Sequence, residues 1–412
     1  QLADCLGAVG VGGVVMAVSA GLSSAATELF QGPRLGRVHP ILIPLVAAAA
    51  VLGAALGYGR WRQSEAPRPA DPGLDVLLVQ GSIDTELKHD PAAAGDVVRH
   101  YDALTAAALD EAGEPPPALI AWPEPMWRFS LLEIDPDEKL PETVVAQTLG
   151  EAAPGLAWDD PARQAACRRA LEPERLAVLS AFARRYRAHW LVGIDKQVVT
   201  PRAPTGARHY NCGLFLDPEG APVACYSKRH PVMFGEYVPL GSRFPWLYRL
   251  TPLPARRTPG DEEVAVSIAG HRVAVNICYE TALPEAVRSQ VRTLARAGGT
   301  PDLIVNLTND GWFWGSSELD MHLTAAVFRA VEVRTPILVA ANTGFSAAID
   351  GSGRLLARGP RRATGTLRVR AEPDGRRSPW LVWGSLPLGL CVAVATVALV
   401  SGWSRRSSLE KR

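Results

Sequence analysis

The sequence predicts an α/β domain carried on apolar helices, and three observations predict it. Between residues 74 and 372, short apolar runs bounded by Gly, Pro and Asp alternate with segments of helical character, the pattern of a sheet covered by helices. Some neighbouring runs are joined by tight turns, DPEG at 217–220 and a Gly turn at 270, which add antiparallel hairpins. Outside the domain, residues 6–25, 40–59 and 380–403 form long stretches without a charge. Each reaches the ~20 residues that a helix needs to span a bilayer.

The elements follow in order. LDVLLVQG is a buried strand opening the domain, and a helix is expected over residues 92–112. PALIAWPE is a second buried strand, expected to end at Glu124. Residues 130–173 are polar, hold several Pro and Asp, and are too long for an ordinary connection; they read as a lid, an insertion or a mobile arm. Residues 174–189 look helical and WLVGIDKQVV looks like a strand. YNCGLFL and APVACYS form a hairpin, and VAVSIAGHRVAVNICYE gives two more strands. LIVNLTND is a strand, MHLTAAVFRAVEVR a helix, and ILVAANTG and FSAAIDGSGRLLAR are strands. The expected division is two transmembrane helices in residues 1–62, a Pro-rich linker at 63–73, the α/β domain at 74–372, a third span at 378–404 and a basic tail at 405–412.

Composition narrows the function. The 412 residues carry 43 basic and 42 acidic side chains, a balance that gives no electrostatic case for nucleic acid. No Cys/His cluster has zinc spacing and no Gly-rich loop could cradle phosphate, so the sequence asks for no metal and no cofactor. The chain starts at Gln1 with no charged segment before the first apolar run, and reads as a fragment or processed form of something longer. Arg34 and Arg37 in the link between the first two runs, and Arg405, Arg406, Lys411 and Arg412 in the tail, predict that link and tail lie in the cytoplasm and that residues 61–379 face outward. Arg60 and Arg62 argue the other way for the second run.

Of the six cysteines, Cys5 and Cys391 read as small hydrophobes of the apolar runs. If 217–220 form the turn, Cys212 falls opposite Cys225, where the pair is either a disulfide or two reduced, buried thiols. Three other polar residues stand at or beyond the ends of apolar strands: Glu124, Lys228 and Cys278. Ligand sites of α/β sheets assemble at such ends. A thiol that attacks a carbonyl, a cation that lowers its pKa and stabilises an oxyanion, and a carboxylate that moves the proton would together make acyl-transfer machinery. The backbone N–H of Tyr279 would be a second oxyanion donor. Taken singly, each has a duller role: a packed thiol, a helix cap, a surface charge.

Together the segments resemble a known family. WPE at Glu124, YSKRHPVMFGEYVP at Lys228 and ICYE at Cys278 look like the signature segments of the nitrilase (carbon–nitrogen hydrolase) superfamily. The longer segments resemble its apolipoprotein N-acyltransferase branch, as do VQGSI, NLTNDGWF and NTGFSAAID; together they cover nearly all of residues 74–370. The resemblance implies a nitrilase-like αββα sandwich flanked by transmembrane helices, on the outer side of a bacterial inner membrane. It implies a phospholipid acyl donor, a diacylglyceryl apolipoprotein acceptor and a thioester on Cys278. Glu124 would be the base and Lys228 the oxyanion donor. Glu236, Tyr279 and Glu280 match further family positions, either as pocket support or in a direct role. Trp127, Trp312 and Phe313 would either line an entrance for acyl chains or pack in the core. The chain departs from the family at His89, where a tryptophan is usual in a mobile arm, and at Pro231, Val232 and Met233, where Leu-Val-Pro is usual. A membrane-tethered amidase and a catalytically silent membrane scaffold are the competing readings.

Overall fold

The computed structural model describes residues 1–30, 39–65, 67, 72–84, 91–113, 115–135, 138–150, 157–171, 174–200, 206–241, 243–251, 257–393 and 396–397. His89, Arg34, Arg37 and the basic tail residues Arg405, Arg406, Lys411 and Arg412 lie outside these residues.

Two six-stranded sheets lie face to face. One has the order β12-β1-β2-β3-β4-β5, the other β11-β10-β9-β8-β7-β6. In the first, β1 (Leu74–Gln80), β2 (Leu119–Ile134) and β3 (His189–Val199) run parallel, flanked by antiparallel β12 (Gly365–Ala371), β4 (Ala207–Leu216) and β5 (Pro222–Ser227). The second repeats this plan. Parallel β7 (His271–Ile277), β8 (Leu303–Thr308) and β9 (Ile337–Ala341) are flanked by β6 (Ala265–Ile268), β10 (Ala347–Ile349) and β11 (Leu355–Arg358).

Strand alternation builds the layers. In β1, Leu74, Val76 and Leu78 face the other sheet, where they meet Val273, Val275 and Ile277 of β7 and Leu303, Val305 and Leu307 of β8. The alternate residues Leu77 and Val79 point outward onto Val97, Val98 and Tyr101 of helix α3 (Ala94–Ala112), and into one cluster with Leu179 and Ala183 of α6 (Glu174–Tyr186). On the far side, Ala274 and Ile304 pack with Val287 and Val291 of α7 (Pro284–Arg296) and Ala326 and Ala330 of α8 (Glu318–Val333). Both faces of each sheet are covered, so its central strands read as continuous apolar runs rather than alternating ones. The result is the αββα sandwich.

Three sequence expectations change here. β2 does not stop at Glu124 but continues to Ile134. Residues 130–173 are therefore partly strand, and beyond it they hold two short helices, α4 (Glu142–Leu149) and α5 (Pro161–Leu171), closed over Leu140, Val145 and Cys167. In the β4–β5 hairpin a register shift near Leu216 places Cys212 opposite Ser227 and Cys225 opposite Leu214. The two thiols are diagonal neighbours rather than opposed, and both are free.

Among the described residues, two helices are long and apolar enough to cross a membrane: α1 (Ala3–Phe30) and α2 (His39–Ser64), in which Ile41–Ser64 qualifies. α1 leaves the domain and α2 returns to it, and a buried ion cluster ties both ends down. Asp4 accepts hydrogen bonds from Arg62 Nε (2.7 Å), Tyr58 Oη (2.7 Å) and Arg334 Nε (2.9 Å). Arg62 is thus an interior ion-pair partner, not the free flanking charge assumed from the sequence. The third apolar run also changes character. Trp380, in α9 (Pro379–Trp383), is buried, and its carbonyl accepts from Arg288 of α7 at 2.9 Å. Gly384 then turns the chain at φ 53° before helix resumes through residue 393. The run therefore begins docked on the domain.

Candidate active site

Glu124 sits where β2 and β3 fall out of step. β2 advances from Trp122 to Trp127 while β3 advances only from Val192 to Ile194. The surplus residues, Pro123-Glu124-Pro125 among them, bulge out of the ladder and re-aim the carboxylate, as bulges near active sites do. Gly193 makes room for this: a Cβ there would lie 2.4 Å from Pro123 O and 2.7 Å from Glu124 Cα. Gly193→Ala should force the strands apart, with about 1–3 kcal/mol of stability lost. Thermal unfolding of the variant checks it; an unchanged midpoint would show that the bulge can yield.

Lys228 follows β5, and its N–H donates to Asn211 O of β4 at 2.8 Å. Its side chain is buried between two carboxylates, 3.4 Å from Glu124 and 2.9 Å from Glu236. Burial works against the ammonium, but the charges of Glu124, Cys278 and Glu236 outweigh it and raise its pKa. Asn211 joins the set, donating through Nδ2 to Glu124 and, at 3.3 Å, to Glu236. Glu236 also accepts from Val232 N at 2.8 Å, and despite its burial Lys228 holds its carboxyl below the usual range. Nothing in the sequence singled out Asn211 beyond its being polar in an apolar strand.

Cys278 begins a tight 3₁₀ turn (Cys278–Ala282) directly after β7, at the strand end where the sequence places it. Its φ of 51° is uncommon for a residue with a side chain. The strain is held by its own carbonyl, which accepts from Asn306 Nδ2 (3.3 Å) and His322 Nε2 (3.1 Å). Burial first, and Glu124 next, push the thiol well above its usual pKa; Lys228 opposes them without prevailing. The cation thus acts in the expected direction but is outweighed, and attack by a thiol so raised requires a base. Alkylation of Cys278 should accordingly still be accelerating with pH where an ordinary thiol, of pKa about 8.5, has levelled off. Peptide-resolved iodoacetamide rates measure this, and a plateau near pH 8.5 would contradict it.

Glu280 is buried and turned away from the thiol. Oε1 accepts from Arg229 N (2.7 Å) and His230 N (3.0 Å), Oε2 from Ile277 N (2.8 Å), and Tyr226 Oη reaches both oxygens at 2.9 Å. It fastens the loop after Lys228 to the turn that carries Cys278. Tyr279 is exposed. Trp312 and Phe313 are exposed on the loop after β8, but Trp127 is 2% exposed, its ring edge-on to Phe129 and Phe182. Trp127 is therefore core and lines no entrance.

A half-buried thiol just past β7, a carboxylate on the β2 bulge and a buried ammonium just past β5 suit nucleophilic attack on a carbonyl. The carbon–nitrogen hydrolase family matches residues 103–376, and the chain belongs to that family. Within it, the apolipoprotein N-acyltransferase of Geobacter metallireducens is 28% identical over 363 residues, 88% of this chain and 60% of that protein. The apolipoprotein N-acyltransferase of Bordetella bronchiseptica is 30% identical over 395 residues, 93% of this chain and 64% of that protein. The chain thus spans less than two thirds of the length of either relative. Among solved structures, Saccharomyces cerevisiae Nit3, a member of branch 10 of the nitrilase superfamily, matches with a TM-score of 0.48 and 16% identity, covering 79% of this chain and 98% of that one.

Proposed function

We propose that this chain moves an acyl chain from a phospholipid to the α-amino group of a diacylglyceryl cysteine at the N-terminus of apolipoproteins. The observation that carries it is the Glu124–Lys228–Glu236 ion cluster in the neighbourhood of the Cys278 thiol, in a chain with two described apolar helices long enough to cross a membrane. The names of the relatives support the same acceptor.

In the first step Glu124 takes the thiol proton as Sγ attacks the ester carbonyl. Lys228 Nζ and the Tyr279 N–H receive the oxyanion. Collapse breaks the ester C–O bond, and the proton on Glu124 passes to the leaving alkoxide, releasing a lysophospholipid. In the second step the acceptor amine attacks the thioester and Glu124 takes its proton. The C–S bond breaks, an amide forms, and the proton returns to sulfur. Glu236 and Asn211 hold the Lys228 ammonium and the Glu124 carboxylate in place.

Both substrates stay in the bilayer, so a tethered enzyme meets them at high effective concentration. Trp312, Phe313 and Phe234 are exposed apolar side chains on the segments that follow β8 and Lys228, suited to meeting acyl chains. We place the catalytic domain on the outer side of a bacterial inner membrane, on the strength of the basic residues of the C-terminal tail and of the link between the first two apolar runs.

The test is intact-mass analysis of the membrane protein after incubation with phospholipid vesicles. The wild type should gain one acyl chain, removable by hydroxylamine, and Cys278→Ala should gain none. Turnover of small amides without a lipid adduct would replace the proposal with a tethered amidase. Neither reaction would replace it with a silent scaffold.

A further inference from the structure

His322 of α8 is buried beneath the turn that carries Cys278, and both its ring nitrogens face acceptors. Nδ1 lies 2.8 Å from Asp310 Oδ1, and Nε2 lies 3.1 Å from Cys278 O. The same Asp310 oxygen accepts from Thr308 Oγ1 at 2.9 Å, as an ionised carboxylate can. A neutral imidazole donates from one nitrogen only, so satisfying both partners requires the imidazolium. Burial opposes that charge, but Asp310 and the Cys278 carbonyl favour it, and the net shift is upward. The titratable groups that act on the ring are Asp310, from the turn after β8, and Glu124, from β2. Asp310 itself is admitted at this depth by Gly344 (φ 102°), where a Cβ would lie 2.5 Å from Asp310 Oδ2.

The carbonyl that His322 holds belongs to the peptide joining Cys278 to Tyr279. The other end of that peptide is the Tyr279 N–H. It lies in the first turn of a 3₁₀ segment, where N–H groups have no partner within the helix. A cationic donor on the carbonyl draws charge through the amide and strengthens the N–H as a donor. Asn306 adds a second donor to the same oxygen at 3.3 Å.

We infer that His322, held by Asp310, is a positioning residue for the oxyanion site: it fixes and polarises the Cys278–Tyr279 peptide so that the Tyr279 N–H meets the charge that develops on the acyl carbonyl. The inference rests on the acyl-transfer proposal above. It separates His322 from groups that only support the thiol.

Two reactions at one sulfur distinguish these roles. Acylation by p-nitrophenyl palmitate forms an oxyanion, whereas alkylation by iodoacetamide does not. In the full-length protein, His322→Gln should slow the acylation burst about 10- to 100-fold, the range for lost outer partners of a site. Alkylation, read on the Cys278 peptide, should change by no more than about twofold because no oxyanion forms. Asp310→Asn, which leaves the ring a single acidic hydrogen to share, should show the same split and carries the test if His322→Gln does not fold. An equal fall in both rates would make His322 a mere support of the thiol and overturn the inference. So would no fall in either. A wild type without any burst would sink the acyl-transfer proposal itself, whereas a wild-type burst unchanged in both variants would sink this inference alone.

Discussion

Replacing Lys228 with methionine should remove about 3–5 kcal/mol of stability at neutral pH, the cost of leaving buried charge without its partner, and should abolish the acyl adduct. The ammonium lies 2.9 Å from Glu236 and 3.4 Å from Glu124. Methionine fills much of the same space but leaves two neighbouring carboxylates with only Asn211 between them. The pH dependence carries the signature. Lys228 has a raised folded pKa, so its contribution is complete below the unfolded value of about 10.4 and fades only as pH climbs through the higher folded value. Glu236 has a depressed folded pKa, so its contribution is present above the unfolded value of about 4.3 and fades as pH falls through the lower one. The wild-type set is therefore at full strength between those limits. Without the lysine, one carboxylate must bind a proton to share the pocket, and the variant should gain stability on acidification from pH 8 towards 5 relative to the wild type. Thermal unfolding across that range measures it. A variant as stable as the wild type at pH 8 would mean that water reaches these groups and screens them.

Glu280→Gln should have the next largest effect. The carboxylate accepts from three backbone N–H groups and the Tyr226 hydroxyl. A glutamine keeps one acceptor oxygen and turns an NH₂ towards donors, leaving at least one buried N–H unpaired at about 1–3 kcal/mol each. Because this side chain joins the Lys228 loop to the Cys278 turn, the variant should slow alkylation and acylation together, each by about tenfold or more, as for other outer partners of a site. Paired rate measurements at Cys278 would show it. Acylation lost alone, with alkylation and stability intact, would instead put Glu280 in direct contact with the substrate.

Much of this architecture was legible in the residue order. Runs such as LDVLLVQ and LIVNLT are apolar on both faces because each face has its own layer to meet, and that is visible without coordinates. Lys228 and Cys278 were legible as polar residues at strand ends, whereas Glu124, read as ending its strand, stands on a bulge within it. Their meeting was not, because it depends on the β2 bulge and on Gly193, and a bulge leaves no periodic trace. The hairpin was misregistered for a similar reason: one irregular step near Leu216 moves Cys225 off Cys212. Trp127 was misplaced because an aromatic two residues past a proline looks alike on a rim or in a core. His322, Asp310, Asn306 and Asn211 went unnoticed because each is an ordinary polar residue until the fold aims it. Other matching segments prove to be braces between the sheets. Gln80 of VQGSI accepts from Ser346 N of NTGFS at 2.7 Å, and Asn342 accepts from Ile83 N at 2.9 Å.

The Asp4–Arg62–Arg334 cluster turns the membrane helices into a fixed footing for the domain. A domain on a slack tether samples many heights and tilts above a bilayer. A domain whose helices enter through a buried ion pair has one height, set by where the apolar lengths settle. Past the kink at Gly7, residues 8–30 of α1 span about 35 Å, somewhat more than a hydrocarbon core of about 30 Å, and such an excess is absorbed by tilt or by local thickening of the lipid. Under the proposed acyl transfer, lipid thickness becomes a mechanical variable of the domain: a thinner bilayer leans it over and a thicker one stands it upright, and the distance from lipid ester to sulfur follows.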